Sequence, residues 1–390
     1  MSSVNALPQP THASRHSVSR GGGDTALVYT TIALLAVGLM SVYTASAVQA
    51  DLETGNSMSL LIKQCIALVV GLGVMRLVQQ VPVDFFNRVA RPLGIASLFC
   101  LALTFVIGTT ANGSERWIPL PFGFSFQPSD LAKVAAILLM AQGLTRPRLF
   151  NPQLFGNLAL IGVMLVLILK QPNLSVTMIV SCVTFLMLIV SGLPRAGILA
   201  ALCGIGGVAY WEILHTSYQM KRIQGWLNPW ASPLEIGYNL IQSYYAIGSG
   251  GLWGAGLGNS VQKLFYLPFQ HTDFIFSVIC EEWGFFGAVI VIGLFGLLAW
   301  RGFCIAWRCP HPFGRYAAFG LTLSLIIQAY INIAVTTGLM PVTGVTLPLI
   351  SYGGTSLIVT LMMIGMLLNI SRLKPISYLG PVHEHYRGMA

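Results

Sequence analysis

Long apolar runs broken by short polar stretches fill almost the whole chain. A run of about 17–25 apolar residues is long enough to cross a bilayer as a helix. Ten such runs occur, near 26–48, 60–79, 91–109, 128–145, 154–171, 174–193, 196–214, 274–300, 313–337 and 351–371. The fifth and sixth are joined only by the tight turn Gln171-Pro172-Asn173. The pattern predicts an all-α polytopic membrane protein with about ten transmembrane helices. No internal repeat is visible, which argues against a transporter built from inverted halves.

Composition sharpens this. The 390 residues are 55% hydrophobic and only 8% charged, with a mean hydropathy of +0.74. Soluble domains carry about 25% charged residues, so that class is excluded. A net charge of +9 would suit a nucleic-acid binder, but the placement of the charges removes that reading. With the N-terminus inside, fourteen of the 21 Lys and Arg fall on the cytoplasmic side. Four lie outside (Arg116, Lys221, Arg222, Lys263) and three within spans. This is the positive-inside distribution. Both termini are therefore expected in the cytoplasm, and no nucleic-acid partner is implied.

Residues 1–24 are polar and lack an apolar core followed by a cleavage site. They are read as a disordered cytoplasmic tail, not a signal peptide. Residues 25–372 then form the membrane domain and 373–390 a second cytoplasmic tail. The seven cysteines are scattered and make no CxxC pair, which argues against a disulfide framework or a zinc site.

The external loops carry the information. One runs from about 110 to 127 and the largest, between the seventh and eighth spans, from about 215 to 273. The latter is too long for a plain connector. A third, 338–350, has no charge and is rich in Pro, Gly and Thr. Such a loop dips back into a membrane only where protein or water satisfies its backbone.

Acids are scarce, 12 in all, yet Asp273, Glu281 and Glu282 fall within ten positions. A carboxylate at membrane depth costs roughly 2.5–3.5 kcal/mol on insertion scales. In a helix starting at Asp273, Glu281 lies about 12 Å deeper and Glu282 faces the other way. Asp273 and Glu281 are therefore no acid–base dyad. Two readings stay open for Asp273: a helix N-cap, or a general base facing the outer leaflet. Lys133 sits about 8 Å into the fourth span, and a structural ion pair with Glu281 is expected. His271 is either a second proton carrier or a hydrogen-bonding loop residue. Lys221, Arg222 and Lys263 share their loop with several Trp and Tyr. They suit a phosphate-bearing lipid headgroup or interfacial anchoring. Gly254-Ala255-Gly256-Leu257-Gly258 follows no strand and is rejected as a nucleotide loop. Ser351-Tyr352-Gly353-Gly354-Thr355-Ser356 opens the last span, either to meet an anion or simply to cap it.

Together these motifs resemble the SEDS family (shape, elongation, division and sporulation). The matching pieces include Arg116-Trp117-Ile118, Phe126-Gln127-Pro128-Ser129-Asp130-Leu131-Ala132-Lys133 and Gln171-Pro172-Asn173-Leu174. They continue with Arg222-Ile223, Trp226-Leu227-Asn228-Pro229, His271-Thr272-Asp273-Phe274 and Leu347 to Ser356. The string Asn259 to Pro268 resembles the division branch more than the elongation branch. Asn173 replaces the family's usual Asp, a variant similar to cyanobacterial members. Asp130 stands for the usual Glu, and Phe269-Gln270 replaces a frequent acid.

The resemblance implies a peptidoglycan glycosyltransferase in the plasma (inner) membrane at the division septum. It would polymerise lipid II on the outer face, extending a polyprenyl diphosphate-linked glycan. A class B penicillin-binding protein and other divisome proteins are its implied partners. The family's essential acid falls on Asp273, and its polar positions on Arg116, Gln127, Lys133, Glu281 and Ser356. Arg222, Lys263 and His271 are further substrate-binding candidates. The resemblance implies that a divalent cation, Mg or Mn, can assist, although the spacing marks no metal site. A lipid II flippase and a non-catalytic divisome scaffold are the competing functions. The crowding of polar groups in the outer half favours the enzyme.

Overall fold

The computed structural model describes residues 18–111, 114–119, 125–145, 151–192, 207, 217–264 and 266–375. Six helices come first: α1 (Thr25–Thr54), α2 (Ser59–Val78), α3 (Val83–Ile107), α4 (Pro128–Leu144), α5 (Pro152–Lys170) and α6 (Leu174–Val190). The large external loop contributes α7 (Ser217–Leu227) and α8 (Tyr238–Gly250). The chain then continues through α9 (Ile275–Arg308), α10 (Pro312–Thr336) and α11 (Gly354–Ser371). Among the described residues, seven helices are long and apolar enough to span a membrane: α1, α2, α3, α5, α9, α10 and α11. The protein is a multi-pass membrane protein. The expected span 196–214 lies, apart from residue 207, outside the described residues.

α4 and α6 are shorter, at 17 residues each. For α4 the reason is its position. It packs against α3, α5, α6, α10 and α11, and all but one of its residues are buried. A helix enclosed by protein needs no lipid-facing side, so it tolerates Asp130, Lys133 and Gln142 where an outer helix would not. α2, α3 and α5 form the outer layer, with α2 laid along α11.

The termini of the described chain meet. Strand β1 (Val18–Arg20) pairs antiparallel with β5 (Leu373–Pro375), and the Gly21 amide donates to the Arg372 carbonyl (2.8 Å). Asp24 caps α1 by accepting from the Leu27 amide (2.9 Å), and its carboxylate pairs with Arg301 of α9. The expected disordered tail 1–24 is thus ordered from residue 18 onward, because the two segments give each other a backbone partner. The loop between α3 and α4 holds a small antiparallel sheet, β2 (Thr109–Ala111), β3 (Ser114–Pro119) and β4 (Ser125–Phe126).

α9 is not one continuous rod. It breaks at Gly284, whose φ of 67° and ψ of −162° lie outside helical space. The carbonyls freed by the break are taken up by the glycine run of the outer loop. Ala255 donates to Glu281 (2.9 Å) and Gly256 to Glu282 (3.1 Å), while Phe285 donates back to Gly251 (2.9 Å). This is what Gly254 to Gly258 does: it seals a break in a membrane helix.

Candidate active site

Asp273 sits two residues before α9 begins, in a turn where Thr272 and Asp273 both donate to the Phe269 carbonyl (3.1 Å each). The helix cap position is Phe274, and no side chain caps it. The N-cap reading of Asp273 is therefore set aside: its carboxylate is left for other use. Three consecutive carbonyls fix the turn from below. His271 accepts from the Tyr352 amide (2.9 Å), Thr272 from the Ser351 hydroxyl (2.6 Å) and Asp273 from Asn332 Nδ2 (2.8 Å).

The uncharged stretch 338–353 folds inward, as its composition allows. Leu347, Leu349 and Ile350 are almost fully buried, and side chains of α6, α7 and α10 satisfy its backbone. Gly344 of this strap lies beside the acid: a Cβ there would be 3.4 Å from Asp273 Oδ2. The Asp273 side chain is part-buried, and burial pushes its carboxyl up to about 6. Arg222 and then Arg116 pull it back down. Burial likewise lowers His271, against an upward pull from Glu53. The neutral imidazole lies edge-on to Tyr352, with Nδ1 lacking a partner.

The two guanidiniums are held by backbone. Arg222 on α7 donates to the Val342 carbonyl (2.8 Å). Arg116 on β3 donates to Gln171 (2.8 Å) and Pro172 carbonyls, so it braces the turn between α5 and α6. In that turn Asn173 caps α6 and Nδ2 reaches Ser129 Oγ (3.4 Å), neutral work that asks for no carboxylate.

A part-buried acid of raised pKa in the field of two guanidiniums has the character of an acid–base group, which makes Asp273 the candidate active-site residue. The chain also matches the FtsW/RodA/SpoVE family model, described as cell cycle protein, over residues 25–375. It belongs to that family. "Probable peptidoglycan glycosyltransferase FtsW" of Geobacter sulfurreducens is 40% identical over 358 residues, 90% of this chain and 96% of that one. Stage V sporulation protein E of Bacillus subtilis is 39% identical, covering 90% and 97%. A solved chain from a peptidoglycan synthase complex superposes with a TM-score of 0.74 at 35% identity, covering 90% of this chain and 98% of that one. Rod shape determining protein RodA of Thermus thermophilus gives 0.67 at 32%, covering 90% and 97%.

Among the family's polar positions, the structure links Lys133 with Ser356. Lys133 Nζ lies 2.8 Å from Asp130 Oδ1 and donates to Gln328 Oε1 (2.8 Å). Gln328 Nε2 donates to the Thr346 carbonyl (3.0 Å), and Thr346 Oγ1 meets Ser356 Oγ (3.2 Å). Gln127 precedes this network at the cap position of α4, its carbonyl accepting from the Asp130 amide (3.1 Å).

Two expectations are corrected. Lys133 does not pair with Glu281. Its counter-ion is Asp130, one turn away on the same helix, and Glu281 instead accepts from the Ser260 hydroxyl and the Val261 amide (2.8 Å). A local acid wins over one on another helix because the backbone already holds the pair together. Lys263, expected at the substrate, is turned inward. It donates to the Gly258 carbonyl and stands 3.6 Å from Glu282, a buried carboxylate that needs a nearby cation. Asn332, Gln328 and Ser175 were invisible as site residues, since a lone polar residue in an apolar run carries no partner label.

Among the described residues no three His, Cys, Asp or Glu side chains converge. A single carboxylate in the field of two guanidiniums does not fit a protein-built cage for a divalent cation.

Proposed function

We propose that this membrane protein is a peptidoglycan glycosyltransferase that polymerises lipid II, with Asp273 as its general base. The observation that carries the reading is the Asp273 carboxylate, held clear of its helix and in the field of Arg222 and Arg116. Names of relatives at about 40% identity over most of the chain support the same activity.

In the proposed step the 4-hydroxyl of an incoming lipid II attacks the anomeric carbon of the lipid-linked glycan. The new C–O bond forms as the bond from that carbon to the diphosphate oxygen breaks. The polyprenyl diphosphate leaves with the electron pair, and Asp273 takes the hydroxyl proton. A hydroxyl is a weak nucleophile, and a positioned base contributes about 10²–10⁴-fold. In this reading Arg222 and Arg116, whose charges already act on Asp273, stabilise the negative charge on the leaving diphosphate. In this reading the Lys133 to Ser356 network, joined to the strap at Thr346, orients the lipid-linked sugar. Gln127 and His271 complete the proposed site.

The likeness to a chain in a peptidoglycan synthase complex supports a partner that crosslinks what this protein polymerises. A class B penicillin-binding protein fits, acting with it on the outer face of the plasma membrane at the division septum. The test is polymerisation of purified lipid II by the reconstituted protein with that partner. Asp273→Asn is expected to fold, bind the partner and make no glycan. Normal polymer from it removes Asp273 from the chemistry. Headgroup translocation without polymer makes the protein a lipid transporter instead.

A further inference from the structure

Four side chains from three helices grip one short stretch of irregular backbone. Arg222 on α7 donates to the Val342 carbonyl (2.8 Å) and Ser175 on α6 to Thr343 (2.7 Å). Asn332 on α10 donates to Val345 (2.6 Å), and Gln328, one turn earlier, to Thr346 (3.0 Å). A loop has no ladder to fix its carbonyls, so these side chains set its path. The ungripped residue between them is Gly344, which faces Asp273.

Asn332 does more than grip. The two protons of Nδ2 are divided between the strap at Val345 and the Asp273 carbonyl (2.8 Å). One amide therefore ties the acid to the strap, and the strap, three residues away, ties down Arg222. Asn332 is 1% exposed and its Oδ1 has no hydrogen-bond partner. A buried amide oxygen left unpaired is unfavourable for stability, so this residue is ill chosen as mere packing.

We infer that Asn332 is a positioning residue: through the strap it holds Asp273 and Arg222 at the mutual spacing that transfer requires. The inference rests on Asp273 being the base. Asn332 is almost wholly buried, so its assigned role runs through the backbone it holds and not through contact with substrate. Among the described residues, the ions acting on Asp273 are Arg222 from α7 and Arg116 from β3. α6 and α11 contain no charged residue, and the single ion of α10, Arg315, lies at its far end. Asp130 and Lys133 of α4 pair with each other through Oδ1. His271, on the acid's own turn, is kept neutral by burial.

The experiment is lipid II polymerisation across pH by reconstituted Asn332→Leu, Ser175→Ala and Asp273→Asn proteins. Asn332→Leu should lower kcat by about 10²-fold, the loss expected of a misplaced catalytic group, with KM nearly unchanged. The acidic limb of its kcat profile should move to higher pH, because an acid freed from Arg222 is harder to ionise. Ser175→Ala loosens the strap yet keeps the link between Asn332 and Asp273, so its limb should move the same way by less. An unmoved limb, with rate loss matching the loss of folded protein, overturns the inference. Active Asp273→Asn overturns the base reading and this one with it. Inactive Asp273→Asn beside unaltered Asn332→Leu overturns only this one.

Discussion

Gly254 lies backbone to backbone against Gly284 at the break in α9: a Cβ on Gly254 would stand 2.7 Å from the Gly284 nitrogen. Both residues have positive φ, 83° and 67°. The φ and ψ of Gly284 fall where only glycine is at ease, and another residue there costs about 1–3 kcal/mol before any clash. The contact also lets Ala255 and Gly256 reach the Glu281 and Glu282 carbonyls, which lipid would leave unpaired. Gly284→Ala should therefore lower both the yield of monodisperse protein and its melting temperature. Gly293→Ala, in the same helix with open space around it, should be neutral. Size-exclusion after heating checks both.

Lys133 and Asp130 form a buried pair, and removing one member leaves the other charged and unsolvated. Lys133→Met should destabilise by about 3–5 kcal/mol. Adding Asp130→Asn should recover much of that, since the double change removes both charges. Glu281→Gln should be additive with Lys133→Met, because Glu281 spends its oxygens on Ser260, Val261 and Gln262. Thermal unfolding in detergent, arranged as a double-mutant cycle, reads the coupling. A strong coupling between Glu281 and Lys133 would restore the cross-helix pair.

What could be read from the sequence follows the physics of the bilayer. The length of an apolar run is fixed by membrane thickness, so α2, α5, α10 and α11 were legible to within about three residues at either end, while α1, α3 and α9 each run about six to eight residues past the apolar stretch at one end. Helical rise likewise separated Asp273 from Glu281 and Glu282. Neighbour choice was not legible. Depth restricts where Lys133 lies along the membrane normal but not which helix stands beside it, so the nearer Asp130 was passed over. Glu281 is satisfied largely by loop amides, which every residue carries and no pattern marks. The break at Gly284 left no trace in the pattern, because the same helix carries glycines at 287, 293, 296 and 302 without breaking there.

The raised pKa of Asp273 has two consequences with opposite signs. A base must be ionised, so kcat should fall on the acid side with an apparent pKa near the value of about 6, not near 3.8. Arg222→Gln should push that limb higher than Arg116→Gln does, since Arg222 is the stronger of the two influences. For stability, the folded state holds this proton more tightly than the unfolded chain. Its contribution is present below pH 3.8 and is lost as pH rises through about 6. Asp273→Asn should then melt higher than the native protein at pH 7, with the advantage gone by about pH 4. An inactive variant that is also the more stable one is the signature of a strained catalytic acid. Equal melting at both pH values would show the carboxylate to be fully solvated.

Gly344 offers the sharpest probe of the recess itself. Its φ of 71° lies in left-handed space, where a residue with a side chain loses roughly 1–2 kcal/mol. A methyl there would stand 3.4 Å from Asp273 Oδ2, an ordinary contact that needs no rearrangement of the acid. The fold should therefore survive Gly344→Ala with a modest drop in melting temperature. The approach to the carboxylate would not survive, because the methyl occupies space the attacking hydroxyl must cross. Catalysis tolerates little misplacement: a shift of about 1 Å can cost 10²-fold. Gly344→Ala should lose glycan polymerisation by about that factor while keeping most of its stability. A larger side chain, as in Gly344→Val, should abolish polymerisation. Polymer length and rate, measured beside the melting curve of each variant, separate blockage from unfolding. If rate falls only in step with folded fraction, the recess does not receive the acceptor from the Gly344 side.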